Sequence, residues 1–222
     1  MRIIISAIKQ LLFGIMLTCI FINCNSTYTS KKRGYFKIDF PEKKYVKFYQ
    51  PGFPYAFEYP VYARIVKDST YFENTPDNPY WLNIDFPSFK GRIFMSYKTI
   101  GGKSTYKIKT PSGYKDSAGI NSFENMVNDS YKLSYKNDIK AYSINDSLMH
   151  TNNNLTGIFF SLSGNVATAN QFFLSDSTKH FLRGALYFNA TPNEDSLKPV
   201  NDFLRQDMMH IINTLQWRQK ES

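Results

Sequence analysis

The residues best suited to chemistry crowd into one stretch. Ser175, Asp176, Ser177, His180 and Arg183 all fall between Gln171 and Asn189. A serine hydrolase needs Ser, His and Asp brought together in space, whatever their chain order. The stretch lacks the Gly-x-Ser-x-Gly elbow that holds a nucleophile out on a sharp turn. Its pattern is that of a hairpin: a strand, a polar turn, and a second strand over His180–Phe188. Asp176 and Ser177 suit the turn, where their side chains bond nearby amides. His180 and Arg183 are three residues apart, so on a strand they face opposite sides. Both can line one pocket only across a bulge. Structural roles come first for this block, a partner-binding surface of Asp176, His180, Arg183 and Tyr187 second, and catalysis last.

Other chemistries have less to stand on. The three histidines, His150, His180 and His210, show no His-x-x-x-His spacing, and no metal is expected. Gly101-Gly102 and Gly113 read as turns and make neither a phosphate loop nor a dinucleotide fingerprint. No cysteine follows Cys24, which excludes zinc ribbons, thiol redox chemistry and a cysteine nucleophile in the folded part. The sequence supports no enzyme and implies no cofactor and no small-molecule substrate.

Cys24 carries the other informative chemistry. Arg2 and Lys9 precede an apolar run from Leu11 to Ile22, and the polar Asn25-Ser26-Thr27 follows. A basic start and a short apolar run make an export signal, and the run is short for a membrane span of about 20 residues. A Cys at the cleavage point suggests a lipoprotein, with residues 1–23 removed and Cys24 lipidated. Asn23 departs from the small residue usual before that Cys, and Cys19 is a second thiol inside the apolar run. The alternatives are an uncleaved anchor and simple secretion; each takes the rest of the chain out of the cytoplasm.

Removal of residues 1–23 leaves 199 of 222 residues, enough for one domain with a real core. Without disulfides, packing alone must hold it. Arg2 and Lys9 account for two of the nine net positive charges, so the mature chain keeps seven. Such a surface suits anionic lipid, acidic glycans or an acidic partner. No nucleic-acid motif accompanies the charge. Lys31-Lys32-Arg33 is either a solvated tether or a second membrane signal beside the lipid. The 16 Tyr and 19 Phe favour strands and exceed what one core easily hides, which points to an exposed aromatic patch.

The elements that must position these groups read as follows. Asn25–Arg33 is tether. Tyr35–Phe40 alternates up to Pro41, and Tyr45–Tyr49 is a second short run. Ala56–Val66 reads as one strand with Pro60 at an edge or bulge. Residues 67–79 are loop. Tyr80–Phe86 and Arg92–Tyr97 form a hairpin with Leu82, Ile84 and Phe86 on the buried face. Residues 117–135 read as a helix capped by Asp116 or Ser117, with Ile120, Phe123, Met126, Val127 and Tyr131 at helical spacing. Strands follow over 139–144, 155–162, 166–174 and 180–188, with a tight turn at Ser163-Gly164-Asn165. In the last helix Pro199 falls in the first turn, Asp195 and Ser196 cap it, and Val200, Phe203, Leu204, Met208, Ile211, Ile212 and Leu215 form one apolar stripe. The class is α+β: an antiparallel sheet of about seven to nine strands covered by two helices, in the manner of a PsbP/Mog1-type α/β/α sandwich. The domain plan is signal peptide 1–23, tether 24–33 and a single domain 34–222.

Certain segments resemble one family throughout the mature chain. They are Gly34–Pro41, Phe57–Ala63, Trp81–Ile84, Ser96–Lys98 and Gln171–Val200, the most specific being Ser175–Phe188 and Pro192–Val200. The chain resembles the gliding motility lipoprotein GldD family of Bacteroidetes. The resemblance implies a non-enzymatic envelope lipoprotein of the gliding and type IX secretion machinery, with Cys24 as the one residue carried over. An assembly or stability factor is the reading that follows, with components of that apparatus as partners and the membrane held through the N-terminal lipid. The alternative is a periplasmic module that binds a lipid or glycan in an aromatic-lined groove. No acidic residue follows Cys24 up to Arg33, which favours a periplasm-facing domain on the outer or inner membrane. Asp-Ser followed by an apolar residue or Thr, at Ser69, Ser117, Ser147, Ser177 and Ser196, resembles the O-glycosylation site of Bacteroidetes envelope proteins.

Overall fold

Adjacent bulky residues set the architecture. In Phe159-Phe160, Phe172-Phe173 and Phe181-Leu182 successive side chains leave a strand on opposite faces, yet all six are buried. Both faces of that sheet must therefore be covered. The computed structural model describes residues 37–67, 78–136 and 139–218. The expected signal peptide and tether, Cys24, Ser69 and the start of the Tyr35–Phe40 run lie outside the described residues.

All described elements fall in the compact unit that begins at Ile38. In chain order they are β1 (Tyr45–Phe48), β2 (Tyr55–Pro60), β3 (Arg64–Lys67), β4 (Leu82–Phe86), β5 (Gly91–Thr99), β6 (Lys103–Thr110), β7 (Gly113–Ile120), α1 (Phe123–Tyr135), β8 (Ala141–His150), β9 (Thr156–Gly164), β10 (Asn170–Ser175), β11 (His180–Phe188), α2 (Glu194–Thr214) and β12 (Gln216–Trp217). Seven strands form the main sheet in the order β3-β4-β5-β11-β10-β9-β8. A smaller sheet has the order β1-β2-β12, and β6-β7 stands as a separate hairpin. Every pairing given is antiparallel.

The sheet is the middle of a sandwich. On one face Leu204, Met208, Ile211 and Ile212 of α2 pack with Phe172, Leu174, Leu182 and Leu186, and with Tyr55 and Phe57 of the small sheet. On the other face Met126 of α1 packs with Phe160, Leu162, Phe173 and Phe181. β10 is buried at all six positions because both faces are covered. The α+β class with two helices on a mainly antiparallel sheet of seven strands is thus seen directly, and the small sheet and the separate hairpin bring the strands among the described residues to twelve.

Four local expectations need correction. The strand expected over Ala56–Val66 is two strands in two sheets. Pro60 has no N–H to extend a ladder, and the chain turns there, with Ala63 N donating to Pro60 O at 2.9 Å. β12 pairs only with Tyr55 and Ala56, so no strand on that side meets Pro60. The first helix begins at Phe123 and not at residue 117. Its cap is Ser122, whose Oγ accepts from Asn125 N at 3.2 Å, while 117–120 pair with β6 and Ile120 is 69% exposed. The cap of α2 is Asn193, whose Oδ1 accepts from Ser196 N at 3.1 Å, and Pro199 sits inside the helix beyond its first turn. Residues 37–40 form no strand.

Candidate functional site

The polar turn of the β10–β11 hairpin is built by Asp176. Its Oδ1 accepts from the amides of Thr178 at 3.0 Å, Lys179 at 2.8 Å and His180 at 2.9 Å. Partial burial raises the carboxyl's pKa, but the three amides outweigh it and hold Asp176 below the usual carboxylate range. Ser175 Oγ donates to the His180 carbonyl at 2.6 Å and accepts from Ser177 N at 2.9 Å. Ser177 takes φ +62°, the left-handed conformation that closes the turn. The side chains of Ser175 and Asp176 thus serve backbone groups.

His180 points the other way, into the core against the small sheet. Its Nδ1 lies 2.6 Å from the Tyr97 hydroxyl, and its ring stacks on Trp217 at 4.9 Å. Burial lowers its pKa below the ordinary histidine value; the Asp176 charge opposes that and Lys179 adds to it. Arg183 is on the opposite face, where its Nη2 donates to Gln171 Oε1. Burial also lowers the Arg183 pKa, with Tyr187 opposing. Tyr187 shares the Arg183 face, and its ring meets Phe94 edge-on at 5.5 Å. Of the four residues expected on one surface, only Arg183 and Tyr187 share a face. Beside Tyr187 opens a cleft of about 330 Å³ lined by Asp85, Lys90, Arg92, Phe94, Tyr187 and Asn189. Arg92 grips Asp85 in two bonds of 2.5 and 2.7 Å at its rim.

A second cluster escaped sequence reasoning. Asp207 of α2 has no solvent exposure. Its Oδ1 accepts from Lys43 Nζ at 2.8 Å and Tyr45 OH at 3.0 Å, and its Oδ2 from Tyr62 OH at 2.6 Å. Lys43 Nζ also donates to the Phe203 carbonyl at 2.8 Å and sits 3.4 Å over the Phe203 ring. Burial depresses Lys43, while Asp207 opposes the shift; burial and then the Asp207 charge push Tyr45 up. Phe40 stacks on Phe203 at 4.4 Å and Tyr45 on His210 at 3.5 Å. The segment from Phe40 to Tyr45 is therefore pinned along α2. The signal was present in the sequence: an acid at 207 falls on the apolar stripe between Leu204 and Ile211.

Among the serines of the Asp-Ser pattern, Ser147, Ser177 and Ser196 are exposed and Ser117 is half-buried in β7. Among the described residues, no group of three or more His, Cys, Asp or Glu is placed to hold a metal. No described helix is long and apolar enough to cross a membrane.

The fold and surface define an α+β domain whose polar clusters are spent largely on its own backbone and helices. The model of the family described as gliding motility lipoprotein GldD matches residues 25–217, and the chain belongs to that family. It is not a known enzyme family. The chain is also similar to the solution structure of cyanobacterial PsbP (CyanoP) from Synechocystis sp. PCC 6803, at 10% identity and a TM-score of 0.42, over 85% of this chain and 99% of that one. No curated protein matches.

Proposed function

We propose that this protein is a non-enzymatic assembly or stability factor of the gliding and type IX secretion machinery. In this reading residues 1–23 are a signal peptide, Cys24 carries lipid, residues 24–33 are a tether, and the domain faces the periplasm from the outer or inner membrane. The observation that carries the proposal is a gliding-motility family match spanning residues 25–217. The cleft beside Tyr187, with the exposed Lys90 on its wall, supports a protein partner of acidic surface. Deletion of the gene tests it, with spreading on agar and the secreted proteome measured in one strain. Loss of both fits a shared assembly factor. Loss of spreading with normal secretion makes the protein a motor or adhesin component, and loss of neither removes the reading.

One observation favours a second reading. A cleft of about 320 Å³ is lined by Phe48, Phe53, Tyr80 and Trp81. Aromatic faces with a few polar groups suit a lipid or glycan. Binding of envelope glycans or lipids by the purified chain, lost in Trp81→Ala, would support a ligand-binding module instead.

A further inference from the structure

The hairpin β6–β7 was not anticipated from the sequence, and it behaves unlike the other strands. Its eight-residue strands pair with each other from Lys103↔Ile120 to Thr110↔Gly113 and with no other described strand. An extended run of that length reaches roughly 25 Å. The base is fixed to the body by Gly101 N to Asn121 O and Asn121 N to Gly102 O, both 2.8 Å. Beyond that base the two strands form an arm.

The chemistry of the arm is concentrated near its tip. Over Lys103–Ile120 the sequence holds four lysines and one acid, and two of the lysines, Lys109 and Lys115, fall beside the turn. Ile108, Lys109, Tyr114 and Lys115 are all exposed, Tyr114 at 73%. Pairing decides how they are arranged. Lys109 faces Tyr114 and Ile108 faces Lys115 in consecutive registers. Paired residues share a face and consecutive pairs alternate. Each side of the tip therefore shows one apolar group beside one lysine.

We infer that this arm docks tip-first onto an anionic membrane surface. A protein interface loads one face of a ribbon and takes on the order of 1,000 Å² or more to be specific. A tip that is amphipathic on both sides has no single face to offer. It matches a lipid interface, which surrounds what enters it: Tyr sits at headgroup level and Lys reaches back to the phosphates. The arm would then be a second membrane contact beside the N-terminal lipid anchor, one that sets how the domain sits on the surface and not whether it is held there. The inference rests on the family's lipoprotein character and is independent of any role in motility.

The test uses the full lipidated chain with a single free cysteine at Ser112→Cys, in the turn of the arm, labelled with an environment-sensitive dye. A control carries the dye at Tyr142→Cys on β8, where Tyr142 is 76% exposed. Vesicles are phosphatidylcholine with or without phosphatidylglycerol. Flotation reports the anchor, and dye emission reports the arm. Expected is a blue-shifted, brighter dye at position 112 only, only with phosphatidylglycerol, and reversed by high salt. Lys109→Ala with Lys115→Ala should lower the arm's docking equilibrium roughly 30-fold without loss of flotation. An unchanged dye on floated protein overturns the inference, as does an equal response without phosphatidylglycerol. An unchanged dye together with impaired spreading of the double variant would put a protein on the arm and equally overturn it.

Discussion

Lys43 Nζ lies 2.8 Å from Oδ1 of Asp207, a carboxylate with no exposure to solvent. The pair joins the first described stretch of the chain to its last described helix, 164 positions away in sequence. Two tyrosine hydroxyls complete the carboxylate's partners. A buried charge so held costs much to break, because removing one partner leaves the other uncompensated.

Asp207→Ala should cost about 3–5 kcal/mol, since it strands the Lys43 ammonium and two hydroxyls together. Tyr45→Phe should cost about 1.5–3 kcal/mol, the worth of one hydrogen bond to a charged group. Urea unfolding followed by circular dichroism checks both. Equal midpoints for wild type and Asp207→Ala would remove the cluster as a stabilising latch.

Stability should fall as pH drops below the ordinary histidine value of 6.5. His180 has a folded pKa below that value. In the window between the two values the unfolded chain binds a proton that the folded chain refuses. Stability is therefore full above pH 6.5 and is lost as pH falls toward the folded pKa. His180→Gln should flatten this slope in urea titrations at successive pH values. Asp176 adds a further loss below its ordinary value of 3.8, because its folded pKa is also lowered.

Gly184→Ala should destabilise by about 1–3 kcal/mol. A Cβ there would lie 2.2 Å from Cε1 of Phe172, whose ring rests against the bare glycine backbone across the β10–β11 ladder. Phe172→Leu in the same chain should recover part of the loss, a coupling that a double-mutant cycle reads directly.

Lys90→Glu tests the cleft beside Tyr187. Lys90 is exposed, so its charge reversal should move stability by no more than about 0.5 kcal/mol. Spreading on agar should nevertheless fall if an acidic partner docks there. Normal spreading at normal protein level would leave the cleft without a role in motility.

Much of the main sheet was legible because its side chains obey a period of two. The boundaries of β11 were readable directly, and α2 followed from its stripe. The misread regions share a cause: local pattern was weaker than tertiary context. Ile120 fits a helical spacing with Phe123 and Met126, but pairing with Lys103 makes it strand. Val61 and Tyr62 continue the apolar run after Tyr59, yet the chain turns there because Pro60 lacks an N–H. At the hairpin, the three-residue spacing of His180 and Arg183 already implied opposite faces, and they take opposite faces. That His180 is drawn inward depends on Trp217, which only the folded chain brings near. Asp207 was visible as an acid on an apolar stripe, but its partners Lys43, Tyr45 and Tyr62 lie some 145–164 positions earlier, and no local pattern ties them to the helix.

The pairing of β5 with β11 sets the order in which the molecule can be completed. Ile93 meets Leu186 in the middle of the main sheet, and Tyr55 meets Trp217 in the small one. Neither ladder can close until nearly the whole chain is available. Contacts so distant in sequence are slow to form, since the loop must be closed before the pairing rewards it. A nascent chain of this kind stays open while its C-terminal strands are still being made. If residues 1–23 act as the proposed signal peptide, that delay is an advantage: the chain can be threaded through a translocation channel before it locks.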